Sequence, residues 1–247
     1  MNNIVYYALS ALAVLIILPI HEFAHAFTAH KLGDDTAKNM GRLSLNPMRH
    51  LDPYGALCMV FFHFGWATPV PINARNFKKP KRDFALTALS GPLSNLIMGF
   101  FAAFLYLLLN SVFSGMIFPS TLALNIAKNT VLFVYIFHVI NLSLAIFNLI
   151  PVPPLDGSRL LGVVLPPKAY FGFMKYERYV YFALLAWLVF GSFLANALLS
   201  LPFVANSPVL SVIAECFSLS RILGKLTSLL SQAIISFWEL IPFLKLQ

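Results

Sequence analysis

Between Asp83 and Lys128 the chain runs for 44 residues without an Asp, Glu, Lys or Arg. Another 27 residues separate Lys128 from Asp156, 36 separate Arg178 from Glu215, and residues 1–20 are also uncharged. A helix needs about 20 mostly apolar residues to cross a bilayer, and each run holds one such stretch, at about 4–30, 85–109, 131–150 and 179–201. Only 11% of the 247 residues are charged, where a soluble domain averages about a quarter. A soluble core does not supply four such runs, so the expected fold class is an all-α polytopic membrane protein of about four transmembrane helices.

The basic residues assign the sides of that bundle. Nine Lys or Arg lie in 31–83 and four in 151–178, whereas the intervening loop 110–130 holds only Lys128. Thirteen against one is a strong positive-inside pattern. Loops 31–83 and 151–178 are therefore expected in the cytoplasm and the N-terminus outside. The net charge of +8 is absorbed by this topology; no nucleic-acid motif accompanies it, and the lipid bilayer is the partner it implies. Met1-Asn2-Asn3 lacks the basic start of a signal peptide, which predicts a retained first helix. Cys58 and Cys216 make neither a disulfide framework nor a cysteine metal site.

Three stretches fall outside the four spans. Residues 53–66 are apolar but too short to cross, which suggests a re-entrant piece. Gly41 to Pro47 alternates polar and apolar residues and predicts a short strand. From Leu219 to Ile241 apolar residues recur at helical spacing, opposite Ser, Thr, Gln, Arg221 and Lys225. That pattern predicts a C-terminal amphipathic helix in the interface, or a fifth membrane helix packed on the bundle.

Ionisable groups inside a span are costly and mark function. The first span contains His21-Glu22-Phe23-Ala24-His25. Residues i and i+4 share a helix face, so both imidazoles can grip one metal, and Glu22 can serve as general base toward its water. With six histidines and four glutamates in the chain, chance gives this pattern roughly 0.002 times per chain. A catalytic zinc site wants a third protein ligand. Asp34, Asp35, Asp52, Asp83 and Glu177 lie in basic loops, where surface charge or loop hydrogen bonding accounts for them. Asp156 differs: it follows the third span in Asn148-Leu-Ile-Pro-Val-Pro-Pro-Leu-Asp-Gly157, whose prolines must break the helix. His25 lies about six residues before Lys31, roughly 9 Å along a helix, and Asp156 three residues before Arg159. Both halves of the candidate site are thus expected at one depth.

Other polar residues have simpler readings. His138, Asn141 and Asn148 fall on one face of the third span, and an interhelical hydrogen bond accounts for His138 and Asn141. His50 and Asp52 suit a turn before Pro53, His30 suits the interface, and His63 has no assignable partner.

The combination of HEFAH at 21–25 with Asn148 to Asp156-Gly157 resembles the site-2 protease family of intramembrane zinc metalloproteases. Gly91-Pro-Leu-Ser-Asn95 resembles that family's GxxxN element. Gly41 to Gly55, followed by Gly65-Trp-Ala-Thr-Pro-Val-Pro71, is similar to its compact bacterial members. The resemblance implies one zinc per chain, held by His21, His25 and Asp156, with Glu22 as the base and Asn148 positioning the substrate main chain or oxyanion. Gly91, Asn95 and Asn141 become candidates for positioning substrate, and the strand near 41–45 for holding it extended. It implies a single metalloprotease domain over 1–247, with the catalytic core at about 4–160 and C-terminal helices at 179–247, and no PDZ or CBS module. Expected substrates are single-span membrane proteins or signal peptides, in a bacterial-type inner membrane. A CAAX-type protease would need a later glutamate in a matching motif, which Glu177, Glu215 and Glu239 do not supply. A non-catalytic scaffold or transporter with a vestigial metal site is the alternative from another class.

Overall fold

In the computed structural model, which describes residues 3–52 and 68–245, the four apolar runs become four long helices. These are α1 (Asn3–Lys31), α3 (Pro80–Ser114), α4 (Thr121–Asn148) and α7 (Glu177–Leu199). Shorter helices fill the intervals: α2 (Thr36–Asn39), α5 (Gly157–Val164), α6 (Pro167–Met174), α8 (Pro202–Ala205) and α9 (Pro208–Cys216). The last helix is α10 (Leu219–Trp238). The re-entrant piece expected at 53–66, His63 included, lies outside the described residues.

Capping sets where the helices begin. Pro80 occupies the first turn of α3, where a missing N–H costs nothing, and Asp83 accepts the Lys79 N–H at 2.9 Å. Helix α4 starts ten residues before its expected span because Ser120 caps it, accepting the Ala123 N–H at 3.2 Å. Lys128 interrupts the uncharged run, not the helix.

Helices α1, α3 and α4 pack on one another and form the frame of the molecule. The inner face of α3 is a stripe of small residues, Ala85, Ala88, Gly91, Asn95, Gly99, Ala102 and Ala103, all buried. Its outer face carries Leu86, Leu93, Ile97, Phe101 and Leu105, all exposed. Lipid tails are as apolar as leucine, so helices in a bilayer associate by close packing, and small residues permit it. At Gly99 a Cβ would come within 2.8 Å of Leu142 Cδ2, which shows how closely α3 and α4 approach.

The C-terminal helix packs along the bundle. Leu219 and Leu223 meet Phe147 and Ile150 at the C-terminal end of α4. Farther along, Thr227 pairs with Ser143 and Ser231 with His138. Trp238 then donates to the Phe100 carbonyl, and beyond the helix the Phe243 carbonyl accepts from Ser111. The polar stripe of α10 therefore faces polar groups of α4. His138 donates from Nδ1 to the Gly99 carbonyl and accepts from Ser231 at Nε2, so this histidine ties three helices together.

Residues 41–46 form no strand, and none occurs among the described residues. A strand needs a ladder partner, whereas here side chains take the available groups. Arg42 donates to the Thr68 carbonyl at 2.5 Å, His50 donates to the Ser44 carbonyl at 2.7 Å, and Leu43 packs with Ala26, Ala37 and Val70. The His50 carbonyl in turn accepts the Thr68 N–H. His50 thus has the loop-bonding role expected of it, and His30 pairs with Asp35.

Asp34 anchors the next stretch. It is fully buried and accepts from Thr36 (N and Oγ1), the Asn73 N–H and the Asn76 amide, at 2.5–3.1 Å. Burial alone would raise its pKa, but these donors together hold it below the usual carboxylate range. A depressed pKa stabilises the fold above the unfolded-state value and ceases to do so as pH falls through the folded one. Asp34→Asn is therefore expected to lower the unfolding temperature at pH 7. The gap from wild type should hold above the unfolded-state value of about 3.9 and narrow as pH falls below it. Thermal unfolding on both sides of that value checks this, and a gap independent of pH contradicts it.

Candidate metal centre

Histidines 21 and 25 lie one turn apart on α1 and are both buried. Their Nε2 atoms are 3.1 Å from each other, and Asp156 Oδ2 is 3.3 Å from the first and 3.2 Å from the second. Among the described residues this is the one group of three side chains placed to hold a metal ion.

The tautomer of His25 is fixed by its surroundings. Its Nδ1 lies 2.7 Å from the Thr87 carbonyl on α3. A carbonyl only accepts, so Nδ1 carries the hydrogen and Nε2 of the neutral ring presents a lone pair. That lone pair faces a carboxylate oxygen and a second imidazole nitrogen. Asp156 Oδ2 and His21 Nδ1 are buried without a hydrogen-bonding partner among the described residues. His25 Nε2 and Asp156 Oδ2 converge as acceptors, and His21 Nε2 completes a set that suits a cation once that ring's hydrogen sits on Nδ1. Their separations match the edge of a tetrahedron, about 3.3 Å, whose centre lies about 2.0 Å from each vertex, the zinc–imidazole distance. Two imidazole nitrogens and one carboxylate oxygen are also donors that zinc accepts. The residues fit the group.

Two glycines make the convergence possible. At Gly91 a Cβ would come within 2.3 Å of His25 Nε2 and 2.6 Å of His21 Cε1. The glycine of the GxxxN element is thus the surface on which both rings rest. At Gly157 a Cβ would meet the Leu149 and Ile150 carbonyls at 2.3 and 2.5 Å. The chain after α4 folds back this closely only with glycine there. Asp156 precedes α5 in the capping position, yet its side chain makes no cap hydrogen bond. Its carboxylate reaches the histidines instead.

Glu22 points into the same region. Its Oε2 accepts the Val70 N–H at 3.0 Å. Pro69 and Pro71 on either side have no N–H, so Val70 supplies the donor of this Pro-Val-Pro stretch. A cavity of about 300 Å³ opens beside the histidines, lined among others by Glu22, His25, Val70, Pro154, Asp156 and Arg159. A carboxylate fixed by one oxygen beside three metal-type donors can exchange a proton with whatever enters that space.

The remaining expected residues lie farther out. Asn148 is the last residue of α4, half-buried and not part of the cavity lining. Asn95 and Asn141 are fully buried between helices. Both amide atoms of Asn95 lack a partner among the described residues, while Asn141 donates to the Phe137 carbonyl. Residues 41–45 do not line the cavity, whereas the segment at 69–72 does. Sequence reasoning missed Thr87 and Val70, whose contributions are backbone groups that no side-chain pattern marks. It also missed Arg159 and Phe84, which line the cavity.

Comparison with known proteins agrees with this geometry. The family model described as Peptidase family M50 matches residues 9–191. A Bacillus subtilis protein named "Putative zinc metalloprotease YwhC" is 43% identical over 172 residues, covering 68% of this chain and 76% of its own length. "Putative zinc metalloprotease Rip2" of Mycolicibacterium smegmatis is 30% identical over 62% of this chain and 56% of its own. "Zinc metalloprotease MJ0392" of Methanocaldococcus jannaschii is 27% identical over 71% and 39% respectively. This chain thus spans about half or less of the latter two relatives. No solved structure matches it. The family match covers the histidine pair, the small-residue helix and the aspartate together, and the chain belongs to peptidase family M50, the site-2 protease family.

Proposed function

We propose that this protein is an intramembrane zinc endopeptidase that hydrolyses peptide bonds within or near the transmembrane segments of other membrane proteins. The observation that carries the reading is the triangle of His21, His25 and Asp156 donors, 3.1–3.3 Å on each side, with Glu22 lining the same cavity. Those three residues would hold one zinc per chain. When bound, zinc supplies a Lewis acid for the scissile carbonyl and a water acidified toward neutral pH.

The chain's own groups do the rest. Glu22, anchored at Oε2 by Val70, takes the proton of the attacking water at its other oxygen. It then delivers that proton to the leaving amide nitrogen as the C–N bond breaks, yielding a carboxylate and an amine. Thr87 holds the His25 ring in one tautomer and orientation. Asn148 is assigned to the substrate main chain or oxyanion. A transmembrane helix hides its carbonyls in its own hydrogen bonds, so a substrate must unwind locally before it enters a cavity of about 300 Å³.

Single-span membrane proteins and signal peptides are the substrates that suit such a site, and regulated intramembrane proteolysis is the process. The excess of basic residues in 31–83 and 151–178 supports a cytoplasmic position for both loops, with the N-terminus outside and the protein in a bacterial-type inner membrane. Residues 1–247 are taken as one metalloprotease domain.

Zinc content of the purified protein, measured beside cleavage of a single-span model substrate, tests this reading. Glu22→Gln is expected to keep its zinc and to lose at least about 10²-fold in cleavage rate, the usual range for a general base. Asp156→Ala is expected to lose the metal. Undiminished cleavage in the first variant, or undiminished zinc in the second, contradicts the assignment. Gly91→Ala places a methyl group against both imidazoles and should lower zinc occupancy while the helices stay folded. Circular dichroism with metal analysis shows whether it does; full occupancy would mean that the rings do not rest on Gly91.

A further inference from the structure

A second chamber of about 360 Å³ adjoins the metal-site cavity, and Phe84 and Arg159 line both. Its other walls include Ala74, Gly162, Tyr170 and Met174, with Lys81 completing a mostly apolar lining. Four elements build it: the start of α3, helices α5 and α6, and the turn at Ala74–Asn76. Two features hold it in shape. Gly162 lets α6 fold against α5, since a Cβ there would lie 3.3 Å from the Tyr170 ring. Asn73 and Asn76 bind Asp34, which fixes the turn that carries Ala74.

The threshold between the two chambers is an Arg–aromatic pair. The Arg159 guanidinium lies over the Phe84 ring, 5.3 Å from its centroid, and 3.9 Å from Glu177 Oε1. A peptide lying across the metal centre must direct its flanking side chains somewhere, and this chamber lies next to the cavity, across Phe84 and Arg159. Phe84 is one turn before Ala88, which lines the metal-site cavity, so the chamber lies toward the basic-loop end of α3. Its apolar walls suit a large hydrocarbon side chain. Lys81 and Arg159 are the charged residues that line it, and their positive charge disfavours a basic side chain.

We propose that this chamber is a specificity subsite for a large apolar side chain flanking the scissile bond of the peptide substrate, with Phe84 and Arg159 as its threshold. It rests on the proteolytic reading above.

The test uses the full-length protein and a single-span model substrate in which each position beside the cleaved bond is made Phe, Ala or Lys in turn. At one position, wild-type kcat/KM for Phe is expected to exceed that for Ala by about tenfold, the scale of an apolar pocket's discrimination, with Lys cleaved more slowly than either. Ala74→Phe fills the chamber from the turn. It should abolish the Phe preference at that position while the Ala substrate stays within about twofold of its wild-type rate. Met174→Trp fills the chamber from α6 and is decisive if Ala74→Phe loses zinc. A Phe preference that survives both fillers, its absence from the wild type, or equal loss on every substrate by variants with full zinc overturns the subsite alone. A zinc-loaded wild type that cleaves none of the set overturns the proteolytic reading and the subsite with it.

Discussion

The site depends on how closely α3 approaches α1, and that approach is set by Gly91. Any side chain there would occupy the space of the His25 and His21 rings. With hydrogen alone, α3 comes near enough for the Thr87 carbonyl, one turn earlier, to accept from His25 Nδ1. One contact therefore does two things: it seats the rings and selects the tautomer that leaves Nε2 free for a cation. A bilayer gives no hydrophobic reward for bringing helices together. The small-residue stripe running from Ala85 to Ala103 supplies the close packing that replaces it.

The third donor comes from an opposite device, a helix that stops. Pro151, Pro153 and Pro154 cannot continue α4, and Gly157 allows the chain to fold back over the Leu149 and Ile150 carbonyls just beyond that helix. Irregular backbone at membrane depth is tolerated where protein or a water-filled cavity surrounds it, and here it borders the cavity. Asp156 reaches the site with both glycines in place. The loop segment at 68–72 closes the other side. Its Thr68 and Pro69 carbonyls are held by Arg42, its Val70 N–H by Glu22 and the following Asn73 N–H by Asp34. Glu22 is thus tied to loop structure, while His21 and His25 are seated between the long helices α1 and α3.

Much of this was legible in the sequence, for reasons that can be named. Uncharged runs mark long apolar helices because charge is costly in hydrocarbon, and four such helices are present. HEFAH fixes two donors because helical geometry is rigid over one turn. Asp156 could be singled out because it follows the prolines that must end the third span and sits beside Gly157, and the structure brings it to the histidines. The parts that escaped depend on three-dimensional partners. Alternation at 41–47 resembles a strand, but a strand needs a neighbour, and Arg42 and His50 bind residues 68 and 44 instead. The C-terminal amphipathic pattern left its place open; its polar face settles along α4 because His138 and Ser143 offer hydrogen-bonding partners. Thr87 and Val70 act through main-chain atoms, which residue identity does not reveal.

The most direct test of the account is zinc K-edge absorption spectroscopy on the purified, metal-loaded protein. Three donors on two separate elements are held to form one site. The account predicts about one zinc per chain, with two imidazoles and oxygen at about 2.0–2.2 Å in the first coordination sphere. A sphere with a single imidazole or with sulfur, or no stoichiometric zinc at all, would contradict it.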